Sequence, residues 1–199
     1  MAFKYAVALT GGIATGKSSV ASLLSLSGFK IIDLDKIAHK ALNDNHYKIK
    51  RMFGEQFVSG GKVLRPLLGE LVFSNPEQKK KLEEFIHPII FEKAEMESER
   101  LDSFGFPYLM EIPLFFETKR YPIDKVIVVY TPRNLQVKRV MKRDSLPEES
   151  AIKRIESQMS IEEKRDLGNF TVDNSGDLKQ LQYECDRVTD EVKRSFIDS

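Results

Sequence analysis

The residues with the plainest chemical reading are Gly11-Gly12-Ile13-Ala14-Thr15-Gly16-Lys17-Ser18, which fit the spacing G-x-x-x-x-G-K-[ST]. That spacing describes a phosphate-binding loop when a strand precedes it and a helix follows. Both conditions are met in the pattern. Tyr5 to Leu9 is a short apolar run of strand character, and the segment after Ser18 is amphipathic through Leu26. Glycine at positions 11 and 16 admits turn conformations closed to other residues. Loop amides, through Ser19, then converge on phosphate oxygens at the positive end of the following helix. Lys17 supplies a mobile charge for the outer phosphates, and the Ser18 hydroxyl is a ligand for Mg²⁺.

Other residues suited to chemistry follow. Phe29 to Ile32 reads as a second strand that ends in Asp33-Leu34-Asp35, at the carboxyl edge where doubly wound sheets bind ligands. If the backbone stays extended there, both carboxylates face one site; alternatively Asp35 caps a helix that begins at Lys36. Glu111, at the end of a third strand over Phe106 to Ile112, is placed to hold a metal's water shell or is simply a strand-flanking acid. Arg139 and Arg143 share a helical face and lead into a polar stretch with Arg154 and Arg165. Behind a phosphate loop such arginines suggest a mobile lid over a triphosphate; a solvated charged face reads the same way. Asn174, in the turn Asp173-Asn174-Ser175-Gly176, is a candidate purine contact.

These residues require an α/β frame. The expected architecture is a three-layer P-loop NTPase-type fold with a five-stranded parallel sheet in the order 2-3-1-4-5, its fourth and fifth strands at Lys125 to Tyr130 and Phe170 to Val172. Thr131-Pro132 launches a helix, and Leu178 to Phe196 is a closing amphipathic helix. Between the second and third strands the sheet pattern lapses. Lys36 to Leu42, Tyr47 to Phe53 and Pro66 to Phe73 have helical spacing, Gly60-Gly61 marks a turn, and a helix from Pro76 is predicted to break at His87-Pro88 and resume over Ile89 to Leu101. The organisation expected is one domain over residues 1–199, with a helical insertion over 44–101 and a lid over 144–166. Arg65 and His87 stand out in the insertion, although a surface arginine and a helix-end histidine would look no different.

Composition narrows the function. At 199 residues and a formal net charge of +1, no general nucleic-acid-binding surface is implied. Cys185 is the only cysteine, so no internal disulfide or thiolate cluster forms, and it reads as helix filler. No membrane span or secretory leader is recognised, and a cytoplasmic protein is expected. The sequence does not specify an oligomeric state. The guanine signature N/T-K-x-D of GTPases is absent. The pattern favours a small-molecule kinase over a nucleotide-dependent switch, and among kinases leaves nucleoside and nucleoside-monophosphate acceptors open.

Along nearly its full length the chain resembles the dephospho-CoA kinases. The matching pieces are Leu9 to Ser18, Ile32-Asp33-Leu34-Asp35, Leu64-Arg65, His87-Pro88, Ile112-Pro113-Leu114-Phe115-Phe116-Glu117, Gln136 with Arg139, Arg143-Asp144, Gln158 and Val172-Asp173-Asn174. Ile-Ala-Thr-Gly in the loop replaces the usual Ile-Gly-Ser-Gly. The resemblance implies transfer of the ATP γ-phosphate to the ribose 3′-hydroxyl of dephospho-CoA, with Mg²⁺, as the last step of coenzyme A biosynthesis. It implies Asp35 as the group that orients or deprotonates the hydroxyl, with Asp33 as neighbour or substitute, and Arg143, helped by Arg139, at the transferring phosphoryl. Arg65 and His87 would hold the acceptor, with Pro113 and Leu114 beside it.

Overall fold

The computed structural model describes residues 2–197. In chain order it forms β1 (Ala6–Gly11), α1 (Lys17–Leu26), β2 (Ile31–Asp33), α2 (Leu34–Asp44), α3 (His46–Phe53), a 3₁₀ turn (Glu55–Phe57), β3 (Val58–Ser59), β4 (Lys62–Val63), α4 (Arg65–Ser74) and α5 (Pro76–Asp102). It continues with β5 (Tyr108–Glu111), α6 (Phe115–Thr118), β6 (Lys125–Tyr130), α7 (Arg133–Asp144), α8 (Glu148–Glu156), α9 (Ile161–Leu167), β7 (Phe170–Asp173) and α10 (Leu178–Ser195). The main sheet has the order β2-β5-β1-β6-β7. Counted along those strands alone, this is the 2-3-1-4-5 order. The β1–β5, β1–β6 and β6–β7 pairs are parallel, with Leu9 opposite both Glu111 and Ile127.

The chain divides into two compact units, residues 1–32 with 98–199, and residues 33–97. In the first, β1 is buried along its whole length, as expected of a central parallel strand with helices on both faces. Val7, Leu9, Leu109, Ile127, Val129 and Val172 pack with Val20 and Leu24 of α1 and with Leu181, Cys185, Val188 and Val192 of α10. Cys185 is fully enclosed there, and burial pushes its thiol up to about 11. It is a core residue with little thiolate character. Because β1 and α1 share this core, the loop that joins them hangs between two fixed ends.

The second unit has its own small core of Ile49, Phe57, Val63 and Leu68, with Leu42, Phe53, Leu71, Leu82 and Phe85 packed on it. Two expectations, the acidic pair and the proline break, are corrected here, and the turn at Gly60-Gly61 is found. The backbone is not extended through the acidic pair: α2 begins at Leu34, and Asp33, not Asp35, is the cap. The Asp33 carboxylate accepts from the Lys36 N–H at 3.0 Å, which satisfies a first-turn donor before Asp35 can do so. Strand alternation therefore does not aim the two carboxylates the same way. Gly60 and Gly61, at φ of 55° and 73°, form the two-residue loop of a hairpin between β3 and β4. Those strands are too short to show a period. Finally, α5 runs through Pro88 without a break. The proline removes one internal hydrogen bond, but Ile86 before it and Ala94 after it are both buried.

Candidate active site

A cavity of about 680 Å³ opens around the phosphate-loop motif. It lies wholly in the first unit, and its walls come from the end of β1, the first turn of α1, Pro113 after β5, Arg139 and Arg143 of α7, Gln158, and Asn174 and Gly176 beyond β7. Gly16 caps α1 in the left-handed conformation, with no side-chain acceptor and no acidic residue in the first turn. The helix N-terminus thus keeps its positive end uncompensated.

The loop is held from behind, carbonyl by carbonyl. The Gly11 carbonyl accepts from Lys164 Nζ at 3.2 Å, and the Gly12 carbonyl from the Thr15 hydroxyl at 3.0 Å. The Ala14 carbonyl accepts from Arg139 Nη1 at 3.4 Å. The Thr15 carbonyl accepts from Asn174 Nδ2 at 2.7 Å and from the buried Thr131 hydroxyl at 3.1 Å. Arg139 Nη2 also donates to the Asn174 carbonyl at 2.8 Å. Two loop amides are likewise taken: Ile13 N–H donates to Gln158 Oε1 at 3.2 Å, and Thr15 N–H to the Gly12 carbonyl. Among the described residues, the N–H groups of Ala14, Gly16, Lys17 and Ser18 have no acceptor in the chain, and all four residues line the cavity. Four loop carbonyls tied back and a row of open amides make an anion-binding nest.

Gly16 and Ala14 are the tight points of the loop. Gly16 has φ of 87°, and a Cβ there would sit 2.1 Å from Asn174 Nδ2. Ala14 also lies in the left-handed region, at φ of 59°, a conformation that glycine adopts more freely than alanine. Its methyl packs on Val137, Val140 and Ala151. The expected outcomes therefore differ. Gly16→Ala costs about 2–4 kcal/mol, from the left-handed penalty and the displaced Asn174 hydrogen bond. Ala14→Gly changes stability by less than about 1 kcal/mol, because relief of strain is offset by the lost methyl contact and a floppier unfolded chain. Denaturant midpoints of the two variants check this.

Charged groups complete the site. Lys17 Nζ pairs with Glu111 Oε2 at 2.5 Å, both side chains being mostly buried. Glu111 is thus a counter-ion for the loop lysine. The Arg143 guanidinium makes a fork with Asp144 at 2.8 and 2.9 Å, and Arg154 joins the same carboxylate at 2.7 Å. This pairing holds the Asp144 carboxyl below its usual range. Arg143 lines the cavity, while Arg154 and Arg165 do not; Arg165 is paired with Asp166. The polar stretch after Asp144 proves to be two helices with Ala151, Ile161 and Lys164 buried.

Of the predicted residues, Gly11, Gly12, Ile13, Ala14, Gly16, Lys17, Ser18, Ser19, Pro113, Arg139, Arg143 and Asn174 come together around this cavity. Thr15 is fully buried beneath the loop, and Leu114 is exposed outside the lining. Asn174 spends its side-chain amide on Thr15. In the second unit, Asp33 carries the cap and an ion pair with Lys36, Asp35 is exposed on the first turn of α2, and Arg65 hydrogen-bonds His39 at the start of α4. His87 is half-buried on α5. Sequence reasoning missed Thr131, read only as a helix launcher, and Lys164, hidden among charged neighbours.

The family model for dephospho-CoA kinase matches residues 5–180. A dephospho-CoA kinase of Sulfurimonas denitrificans is 50% identical over 198 residues, covering 100% of this chain and 99% of its own. The structure of dephospho-CoA kinase from Campylobacter jejuni superposes with a TM-score of 0.72 at 38% identity, covering 97% of this chain and 100% of that one. A Thermus thermophilus crystal structure superposes at 0.77 with 35% identity, over 94% of this chain and 96% of that one. With the phosphate nest and its flanking cations in place, the match over both units is decisive: the chain belongs to the dephospho-CoA kinase family.

Proposed function

We propose that this chain transfers the γ-phosphoryl group of ATP to the ribose 3′-hydroxyl of dephospho-CoA, releasing ADP and CoA. The observation that carries the reading is the phosphate nest, with its carbonyls anchored and its amides and Lys17 directed to one cavity. In the transfer, the 3′-oxygen forms its bond to the γ-phosphorus as the bond to the β-bridging oxygen breaks, and the hydroxyl proton passes to a carboxylate. Asp35 suits that role: it is exposed, and its carboxylate has no hydrogen-bond partner among the described residues, whereas Asp33 is occupied as a cap. Such a base contributes about 10²- to 10⁴-fold.

Lys17 exchanges Glu111 for phosphate oxygens as nucleotide enters. Arg143 exchanges Asp144 for the transferring phosphoryl, where a cation contributes about 10³- to 10⁵-fold in related enzymes. Arg139 holds the loop and lends its charge from behind. Arg65 and His87 bind the acceptor, with Pro113 and Leu114 beside its path.

Among the described residues no three His, Cys, Asp or Glu side chains converge. The Ser18 hydroxyl in the cavity lining would hold Mg²⁺, with Glu111, now paired with Lys17, as the nearby carboxylate for its water shell. When bound, the ion neutralises charge on the leaving diphosphate. The test is ADP release with a panel of acceptors. Dephospho-CoA is expected to raise turnover well above the ATP-only rate, and nucleosides or nucleoside monophosphates are not. Equal stimulation by a nucleoside monophosphate overturns the assignment.

A further inference from the structure

Lys164 is a charged side chain with no solvent exposure, seated under the phosphate loop rather than in its cavity. Its ammonium pairs with Glu117 Oε1 at 2.8 Å and donates to the Gly11 carbonyl at 3.2 Å, with the Pro113 carbonyl at 3.5 Å. The three donors of a lysine are thereby used, so nucleotide has no route to this charge. Glu117 also accepts the Met159 N–H at 3.2 Å, and next to it Gln158 binds the Ile13 N–H. One cation therefore joins the first glycine of the loop, the exit of β5 through Pro113 and α6, and helix α9.

We propose that Lys164 and Glu117 are a positioning pair for the transfer: they orient the first peptide of the phosphate loop and lock the α8–α9 stretch to it. A planar trans peptide carries its C=O and N–H in opposite directions. Fixing the Gly11 carbonyl toward Lys164 therefore sends the Gly12 N–H the other way, and Gly12 lines the cavity. A neutral side chain at 164 would free that peptide to turn its oxygen toward incoming phosphate, a repulsive arrangement. A buried ion pair contributes little net stability against apolar packing, which fits a role in geometry.

The inference rests on the phosphotransfer reading of the cavity, so its test carries readouts that do not need the acceptor. The variants are Glu117→Gln, which keeps shape and acceptor, and Lys164→Met with Glu117→Gln, which leaves no buried charge unpaired. The double variant is expected to keep its thermal midpoint within about 5 °C. Its kcat should fall about 30- to 100-fold, as misplacement of a reacting group does, with the acceptor KM unchanged. ATP should bind about 10-fold more weakly, and amides of residues 11–18 should exchange hydrogen faster. Glu117→Gln should show the same loss of function at about 5-fold in kcat, with a lower thermal midpoint because Lys164 stays buried beside a neutral acceptor; its kcat per folded molecule is the reading if the double variant does not fold. Normal kcat and normal loop exchange in a folded variant, or a lower midpoint with unchanged kcat per folded molecule, overturns the proposal. If the wild-type protein shows no dephospho-CoA turnover, the function reading fails, while ATP affinity and loop exchange still decide the role of the pair.

Discussion

Lys17→Ala is expected to lower turnover by about 10²- to 10³-fold, the usual cost of removing one preorganised donor from developing negative charge. ATP affinity should fall with it, by about 10- to 100-fold, since charge-assisted hydrogen bonds to the outer phosphates are lost. The structure sharpens this expectation. Lys17 rests on Glu111, and both groups are mostly enclosed, so the alanine variant leaves a carboxylate behind the loop without its counter-ion. The damage then has two parts, a missing attraction and an added repulsion. Lys17→Ala combined with Glu111→Gln should recover part of the ATP affinity while leaving turnover low. Titration of nucleotide binding and steady-state kinetics separate the parts. Unchanged kinetics in Lys17→Ala would remove the loop from the reaction.

Asp35→Asn carries the second large effect. Turnover should drop at least about 100-fold with ATP affinity kept, the pattern of a group that acts on the acceptor's proton in the transition state. Asp33→Asn supplies the contrast. Asparagine caps a helix as well as aspartate does, so the Lys36 N–H keeps its acceptor and stability holds. If Asp35 is the base, Asp33→Asn loses much less activity than Asp35→Asn. The reverse order would pass the role to Asp33, and near-normal turnover in both would remove the acidic pair from the mechanism. Asp33→Ala, by contrast, should lose about 1 kcal/mol of stability through the uncapped first turn.

The contrast at Asp33 also shows where the sequence was informative. The phosphate loop was legible because its chemistry is local: two glycines, a lysine and a serine at fixed spacing between a buried strand and a helix. The five sheet strands were legible because parallel strands covered on both faces are continuous apolar runs, and β1 and β6 are such runs. The acidic pair was harder. Whether Leu34 continues a strand or starts a helix turns on one capping hydrogen bond, and Asp at either position is a good cap. The proline at 88 looked like a break, but packing of the long α5 outweighed one lost hydrogen bond. Lys164 was illegible for a different reason. Flanked by Glu162, Glu163 and Arg165, it reads as part of a solvated face, and only the fold brings Gly11 and Glu117 to it from 153 and 47 residues away. The arginines of the same stretch, lid cations in the sequence pattern, pair here with neighbouring acids, Arg154 with Asp144 and Arg165 with Asp166.

In the proposed transfer, the nest around Lys17 presents the terminal phosphoryl of ATP to a sugar alcohol of dephospho-CoA. The direct measurement is to follow the label from ATP carrying isotopically marked γ-phosphate and to locate it in the product. The expected result is label on the ribose 3′-oxygen, one per ADP released, and loss of that product in Lys17→Ala. Label recovered only as free phosphate, with ADP release indifferent to dephospho-CoA, would contradict it.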